Sequence, residues 1–152
     1  MRIGSTAAPI GHLEQYLLAF ALLWLSVLAT GLHAREQDYY PVQELLVTNK
    51  TIVGEAIQYP SGTPRITVAV VTVAPGAVAA FHRHPVPLVA YILEGELTVD
   101  YGPEGVKTFR QGDALVEAMH VPHRGMNQGS SMVRLLAVYV GAEGSANVAP
   151  AK

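Results

Sequence analysis

Four histidines in the second half of the chain fall into two tight groups, His82 with His84 and His120 with His123. A neutral imidazole offers a nitrogen lone pair that suits Fe, Mn, Ni, Cu or Zn, and a site for one such divalent ion needs three or four converging ligands. On an extended strand, residues two apart leave on the same face, so His82 and His84 can share an ion. Alternating histidines also decorate exposed strands, so this pair alone does not make a site. Other chemistries are easier to dismiss. The chain has no cysteine, which removes thiolate ligands, cysteine nucleophiles and disulfide staples together. There is no phosphate-cradling glycine loop and no nucleophile elbow. A net charge of -2 provides no basic patch for nucleic acid.

The elements that must position these histidines follow from patterning. Residues 16–32, "YLLAFALLWLSVLATGL", carry no charge and are apolar all round, and Ala34 ends a stretch suited to cleavage. Residues 1–34 therefore read as a hydrophobic signal helix that exports the protein to a periplasm or the outside. A retained membrane anchor is the alternative, and contact with a membrane is expected only through this segment if it stays uncleaved. Residues 35–43 read as a polar lead-in. From 44 to 142 strand signals dominate, with "LLVTNKTIVGEAIQYP", "RITVAVVTVAP", "VAYILEGELTVDYG", "VKTFRQGDALVEAMHVPH" and "MVRLLAVYVGA" separated by Gly- and Pro-bearing turns. Short strands at this spacing predict a small all-β barrel or sandwich. Both faces of "RITVAVVTVAP" are apolar, which predicts a central strand. The tail 143–152, "EGSANVAPAK", is small and polar and is expected to be loose.

Around the histidines the sequence resembles the cupin superfamily, a double-stranded β-helix or jelly-roll barrel. Gly76, five spacers and then His82-Arg83-His84 match the first cupin motif, which Gly95 closes. Gly112, His123 and Asn127 keep the spacing of the second. There are two departures. Leu88 stands where the first motif carries a glutamate ligand, and Ala118 and His120 replace the proline and glycine of the second motif's turn. Without that glycine, His120 is expected to take a strained backbone conformation.

The resemblance implies that His82, His84 and His123 are metal ligands. It also implies that Glu117 points into the barrel, where it would supply the oxygen ligand that Leu88 cannot, or act as a catalytic base. Three readings compete with this one: Glu117 pairs with Arg83, it pairs with Arg124, or the strand faces are inverted and it is solvated. Phe81, Val86, Leu88, Tyr91, Met119 and His120 neighbour the ligands in sequence and are the expected substrate pocket, His120 at its rim. Asn127 is expected to make a structural hydrogen bond. The function classes left open are a dioxygenase-like enzyme acting on a small phenolic or carbonyl compound, similar to small quercetin-dioxygenase-like cupins, a non-catalytic metal or small-ligand binding or sensory module, and a structural dimer. A homodimer is the expected assembly, since cupins often pair through their sheets and a barrel this small gains buried area by doing so.

Overall fold

The alternation of apolar and polar residues from Pro64 onward resolves into nine strands within residues 40–151, the part of the chain that the computed structural model describes. The expected signal helix at 1–34 lies outside the described residues. All the strands fall in the unit Gln43–Lys152. They are β1 (Pro64–Val73), β2 (His82–Arg83), β3 (Leu88–Glu94), β4 (Glu96–Asp100), β5 (Val106–Arg110), β6 (Ala114–Val116), β7 (Arg124–Met126), β8 (Val133–Ala142) and β9 (Ala149–Pro150). Three sheets result, with orders β1-β8-β3-β6, β5-β4-β7 and β2-β9. Every pairing is antiparallel.

One core joins the two larger sheets. Ile92 from β3, Leu97 and Val99 from β4, Phe109 from β5 and Leu135 from β8 pack together with Tyr101. Leu97, Val99 and Tyr101 are the inward set that period-two alternation assigns to "GELTVDYG". Gly95 makes the β3–β4 corner possible. Its φ is +79°, and a Cβ there would lie 2.7 Å from the Met132 carbonyl oxygen, so a side chain would meet rigid backbone. The all-β architecture expected of a double-stranded β-helix is met.

Three local expectations are not. Among the described residues β1 is an edge strand rather than a central one, since it pairs only with β8 there. Its second apolar face, Ile66, Val68 and Val70, is 50–61% exposed. Apolarity on both faces marked an uncovered face here, not a doubly covered one. Residues 44–60 form no named strand. Lys50 and Ala56 make an isolated bridge around a turn containing Gly54, and the Ile52 N–H donates to the Val116 carbonyl at 2.8 Å. Ile52 and Val53 spend their hydrophobicity packing against the barrel core. The tail, finally, is not loose through 143–151. Its small residues let it lie flat against the barrel, where Ala149 and Pro150 pair with Arg83 and His82 as β9.

Candidate metal centre

The backbone brings the two histidine groups together directly. His82 and His123 are antiparallel partners whose main chains exchange hydrogen bonds of 2.9 and 3.0 Å. His84 follows on the same face of β2, and the three ring centroids lie 4.7–5.1 Å apart. The nitrogen atoms that could ligate all fall within 4.8 Å of one another.

Each ring is oriented by a backbone acceptor. The Nδ1–H groups of His82, His84 and His123 donate to the carbonyls of Ala80, Asn147 and Val121 at 2.8, 2.8 and 2.9 Å. A ring that donates from Nδ1 keeps its lone pair on Nε2, the tautomer required for ligation through Nε2. His123 is 1% exposed, and its Nε2 has no hydrogen-bond partner among the described residues. A buried nitrogen lone pair left unmatched is costly unless something fills the space before it. Burial pushes the His84 pKa down to about 4, the Asn147 carbonyl opposing the shift and the His123 and His82 imidazoles adding to it. His84 is therefore neutral and able to ligate at neutral pH. Three converging imidazoles with one orphaned lone pair fit a divalent transition ion, so these histidines could hold one.

Glu117 lies beside this triad, just past the end of β6. Its N–H donates to the Leu88 carbonyl at 2.8 Å, so the carboxylate stands one strand away from the position where the cupin motif carries its glutamate. Glu117 is 6% exposed. Its Oε1 is 4.0 Å from His123 Nε2 and accepts the Ala118 N–H at 2.7 Å. Neither arginine alternative holds. Arg124 pairs with Asp100 at 3.1 Å and lies 4.6 Å over the Phe81 ring, and Arg83 has no ion-pair partner among the described residues. The inverted-face alternative fails too, since Glu117 lines the cavity with the histidines.

Two residues that sequence reasoning missed adjoin the carboxylate and its loop. Tyr101 is fully buried with its ring 5.6 Å from His123, and its hydroxyl lies near Glu117 but outside hydrogen-bond geometry. Burial first, and then the Glu117 carboxylate, push the phenol pKa upward. Glu55 is the second. Its carboxylate accepts the N–H groups of Met119, His120 and Val121 at 2.7, 2.8 and 3.1 Å and the Thr51 hydroxyl at 3.2 Å. Burial alone would raise its pKa, but these donors together hold it below the usual carboxylate value. The expectation of a strained His120 is thereby corrected. No residue other than glycine has a positive φ among the described residues, because Glu55 gathers the loop that the motif's glycine would otherwise relax. Asn127 is structural as expected, its amide donating to the carbonyls of Val73 and Ser131 at 2.9 and 2.8 Å.

The expected pocket is largely corrected. A cavity of about 160 Å³ opens before His82, His84, Glu117 and His123, and its walls include Val71, Val73, Leu97, Leu135 and Tyr139. Of the expected lining only Leu88 belongs to it. Val86 is core, while Met119 and His120 line a different cleft and His120 is exposed. Phe81 stacks under Arg124, and Tyr91, opposite Ala114 and Leu136, does not reach the cavity. On a strand the immediate neighbours of an inward ligand face outward. The true walls come from β1, β4 and β8, far away in sequence.

Comparison with known proteins agrees with the fold. The cupin-domain family profile matches residues 69–139. A crystal structure of DMSP lyases is 15% identical with a TM-score of 0.50, covering 57% of this chain and 44% of its own. The formate complex of oxalate decarboxylase from Lactobacillus farciminis is 25% identical with a TM-score of 0.45, covering 50% and 24%. An uncharacterised conserved protein with a double-stranded β-helix domain from Klebsiella pneumoniae is 21% identical with a TM-score of 0.48, covering 62% and 91%. The chain thus spans less than half the length of the first two. No curated protein matches it.

Proposed function

We propose, on the premise that this chain carries a small cupin domain, that it holds one divalent transition ion through His82, His84 and His123 and acts on a small phenolic or carbonyl compound in a dioxygenase-like reaction. The observation that carries this reading is the triad of rings, each donating from Nδ1 to a backbone carbonyl and turned toward a common centre. The ion would supply Lewis-acid or dioxygen chemistry. The protein's own residues do the rest. The apolar cavity walls exclude water and orient the substrate. Glu117 is placed to accept a proton from a phenol or an enolisable carbonyl compound, or to serve as the fourth ligand. An apolar space of about 150 Å³ accommodates one benzene-sized molecule, so the cavity of about 160 Å³ favours a single ring or less over a fused multi-ring compound.

The second reading is a binding or sensory module that holds a metal or small ligand without turnover. Leu88, in the place of the motif's carboxylate, favours it. Export, suggested by residues 16–32, and a homodimer formed through the exposed apolar face of β1 complete the proposal. Elemental mass spectrometry on protein purified without chelator or metal-affinity tag tests the core of it. Close to one Fe, Mn, Ni, Cu or Zn per chain is the expected result. A chain that stays metal-free after incubation with each ion overturns both metal-dependent readings.

A further inference from the structure

Two buried polar atoms close to Glu117 have no hydrogen-bond partner among the described residues, His123 Nε2 and the Tyr101 hydroxyl. An ion held by the triad would match the first, while the proposed chemistry leaves the second unused. Tyr101 follows directly on β4 and continues its inward set, Leu97 and Val99. Its ring therefore enters the core from one large sheet, and Glu117 stands just past the end of β6 in the other. The ring is fully buried, 5.6 Å from that of His123, so the hydroxyl must find its partner inside the protein. The Glu117 carboxylate lies close enough to add to burial in pushing the phenol pKa upward. A phenol that keeps its proton remains a donor.

Glu117 for its part needs a second restraint. Its Oε1 accepts the Ala118 N–H at 2.7 Å and lies 4.0 Å from His123 Nε2. A single donor holds one point of a carboxylate and leaves the group free to pivot, because the terminal torsion of a glutamate is broad. We propose that Tyr101 is a positioning residue for this centre, its hydroxyl donating to the Glu117 carboxylate and fixing, with the Ala118 N–H, the plane in which that group faces the cavity. A small turn about the soft torsion brings donor and acceptor into geometry. The bond is charge-assisted, which makes it stronger than one between neutral groups. The inference rests on the reading of Glu117 as ligand or base, and it holds for either, since both need the carboxylate aimed at a fixed point. A buried water that satisfies the hydroxyl in place of Glu117 is the rival arrangement.

The test is made by NMR on the metal-stripped, isotope-labelled full chain at one neutral pH, so that it stands whether or not the chain binds an ion. In the unmodified protein the Tyr101 hydroxyl proton is expected to exchange slowly and to show a cross-peak to the Glu117 side-chain methylenes. That signal should vanish in Tyr101→Phe and move upfield in Glu117→Gln, where a neutral acceptor replaces a charged one. The Glu117 side-chain couplings should report a single rotamer in the unmodified protein and averaging in Tyr101→Phe, while the signals of Ile92 in the core stay in place. A ring that only fills space would leave those couplings unmoved. A hydroxyl proton lost to rapid exchange, one indifferent to Glu117→Gln, or a Glu117 rotamer equally fixed in Tyr101→Phe each overturn the proposal. The cross-peak decides the matter in the unmodified protein even if the variants fail to fold. A metal-free result in the elemental analysis would overturn the metal-dependent readings and leave these signals as they are, so the two failures are told apart.

Discussion

The two halves of the histidine centre are built by different means. On one side, His82 lies on β2 and His84 directly follows it, and β2 is locked by pairing to β9 and by the cross-strand bridge to His123. On the other, Glu117 and His123 flank a loop without regular structure, and one carboxylate, Glu55, gathers three of its N–H groups. The strand-borne half keeps the histidine pair of the cupin motif and lacks its glutamate, which Leu88 replaces. The loop-borne half departs from it at Ala118 and His120, and replaces what a proline and a glycine would give the backbone with an external clamp. A ligand geometry can therefore survive the loss of its motif residues if another element supplies the missing backbone restraint.

Removing a ring from the strand-borne half should have the largest effect. Structural metal sites with four ligands bind with roughly 10–16 kcal/mol, or about 2.5–4 kcal/mol per ligand. His84→Ala should thus weaken metal binding by several hundredfold in a competition titration with a chromophoric chelator. A loss below about tenfold would mean that the ion does not sit at this triad.

Acid separates the halves next. In the metal-free protein, His84 titrates near 4 rather than at its ordinary 6.5. Between those values the unfolded chain binds a proton that the folded one refuses, so stability is complete above about pH 6.5 and is lost as pH falls toward 4. The shift corresponds to on the order of 3 kcal/mol. Urea unfolding of metal-stripped protein at pH 7, 5.5 and 4 should show that slope, and His84→Gln should flatten it. Glu55 adds a second loss at lower pH. Its depressed carboxyl stabilises the fold above the ordinary value of 4.5 and ceases to as pH falls through its lower folded value.

The clamp itself is expected to matter somewhat less than the ring. Glu55→Ala leaves three N–H groups and the Thr51 hydroxyl without their acceptor. Partial solvation limits the cost to about 2 kcal/mol, measured as a change in urea midpoint at constant slope. Because the loop also carries Val121, whose carbonyl orients His123, metal affinity should fall with it, by about tenfold. If stability drops while metal affinity does not move, the loop does not position the ligand and the two halves are independent.

How far the site could be read from sequence follows the same division. Period two was enough to place His82 with His84, and the cupin resemblance to turn Glu117 inward. Motif spacing was enough to bring in His123. The restraints on the rings were hidden because they are backbone carbonyls, of Ala80, Val121 and Asn147, and a carbonyl has no residue identity to recognise. Asn147 belongs to a tail whose composition resembles a disordered one, yet a short pairing with β2 is enough to fix it. Glu55 sits in a strand-like stretch with no motif to single it out. Its role depends on where the chain folds back, which local pattern does not encode. The same limit misplaced the pocket, since a barrel draws its walls from strands distant in sequence, whereas proximity along the chain selects the wrong face.

The finest distinction lies in Glu117, and substitution by glutamine is the gentlest change that reaches it. Glutamine keeps a carbonyl-type oxygen for the Ala118 N–H that Oε1 now accepts, so the loop should stay in place. The charge and the proton affinity are what disappear. If Glu117 is the fourth ligand, standing in for the carboxylate absent at Leu88, Glu117→Gln should lower metal affinity by about tenfold or less, the other three ligands remaining. If it is a base, affinity should hold while kcat for a phenolic substrate falls by about 100-fold with KM little changed. Leu88→Glu in the same background sharpens the outcome. A restored carboxylate at the motif position should recover metal affinity in the first case and leave turnover depressed in the second, because a ligand can be supplied from either strand but a base must face the substrate.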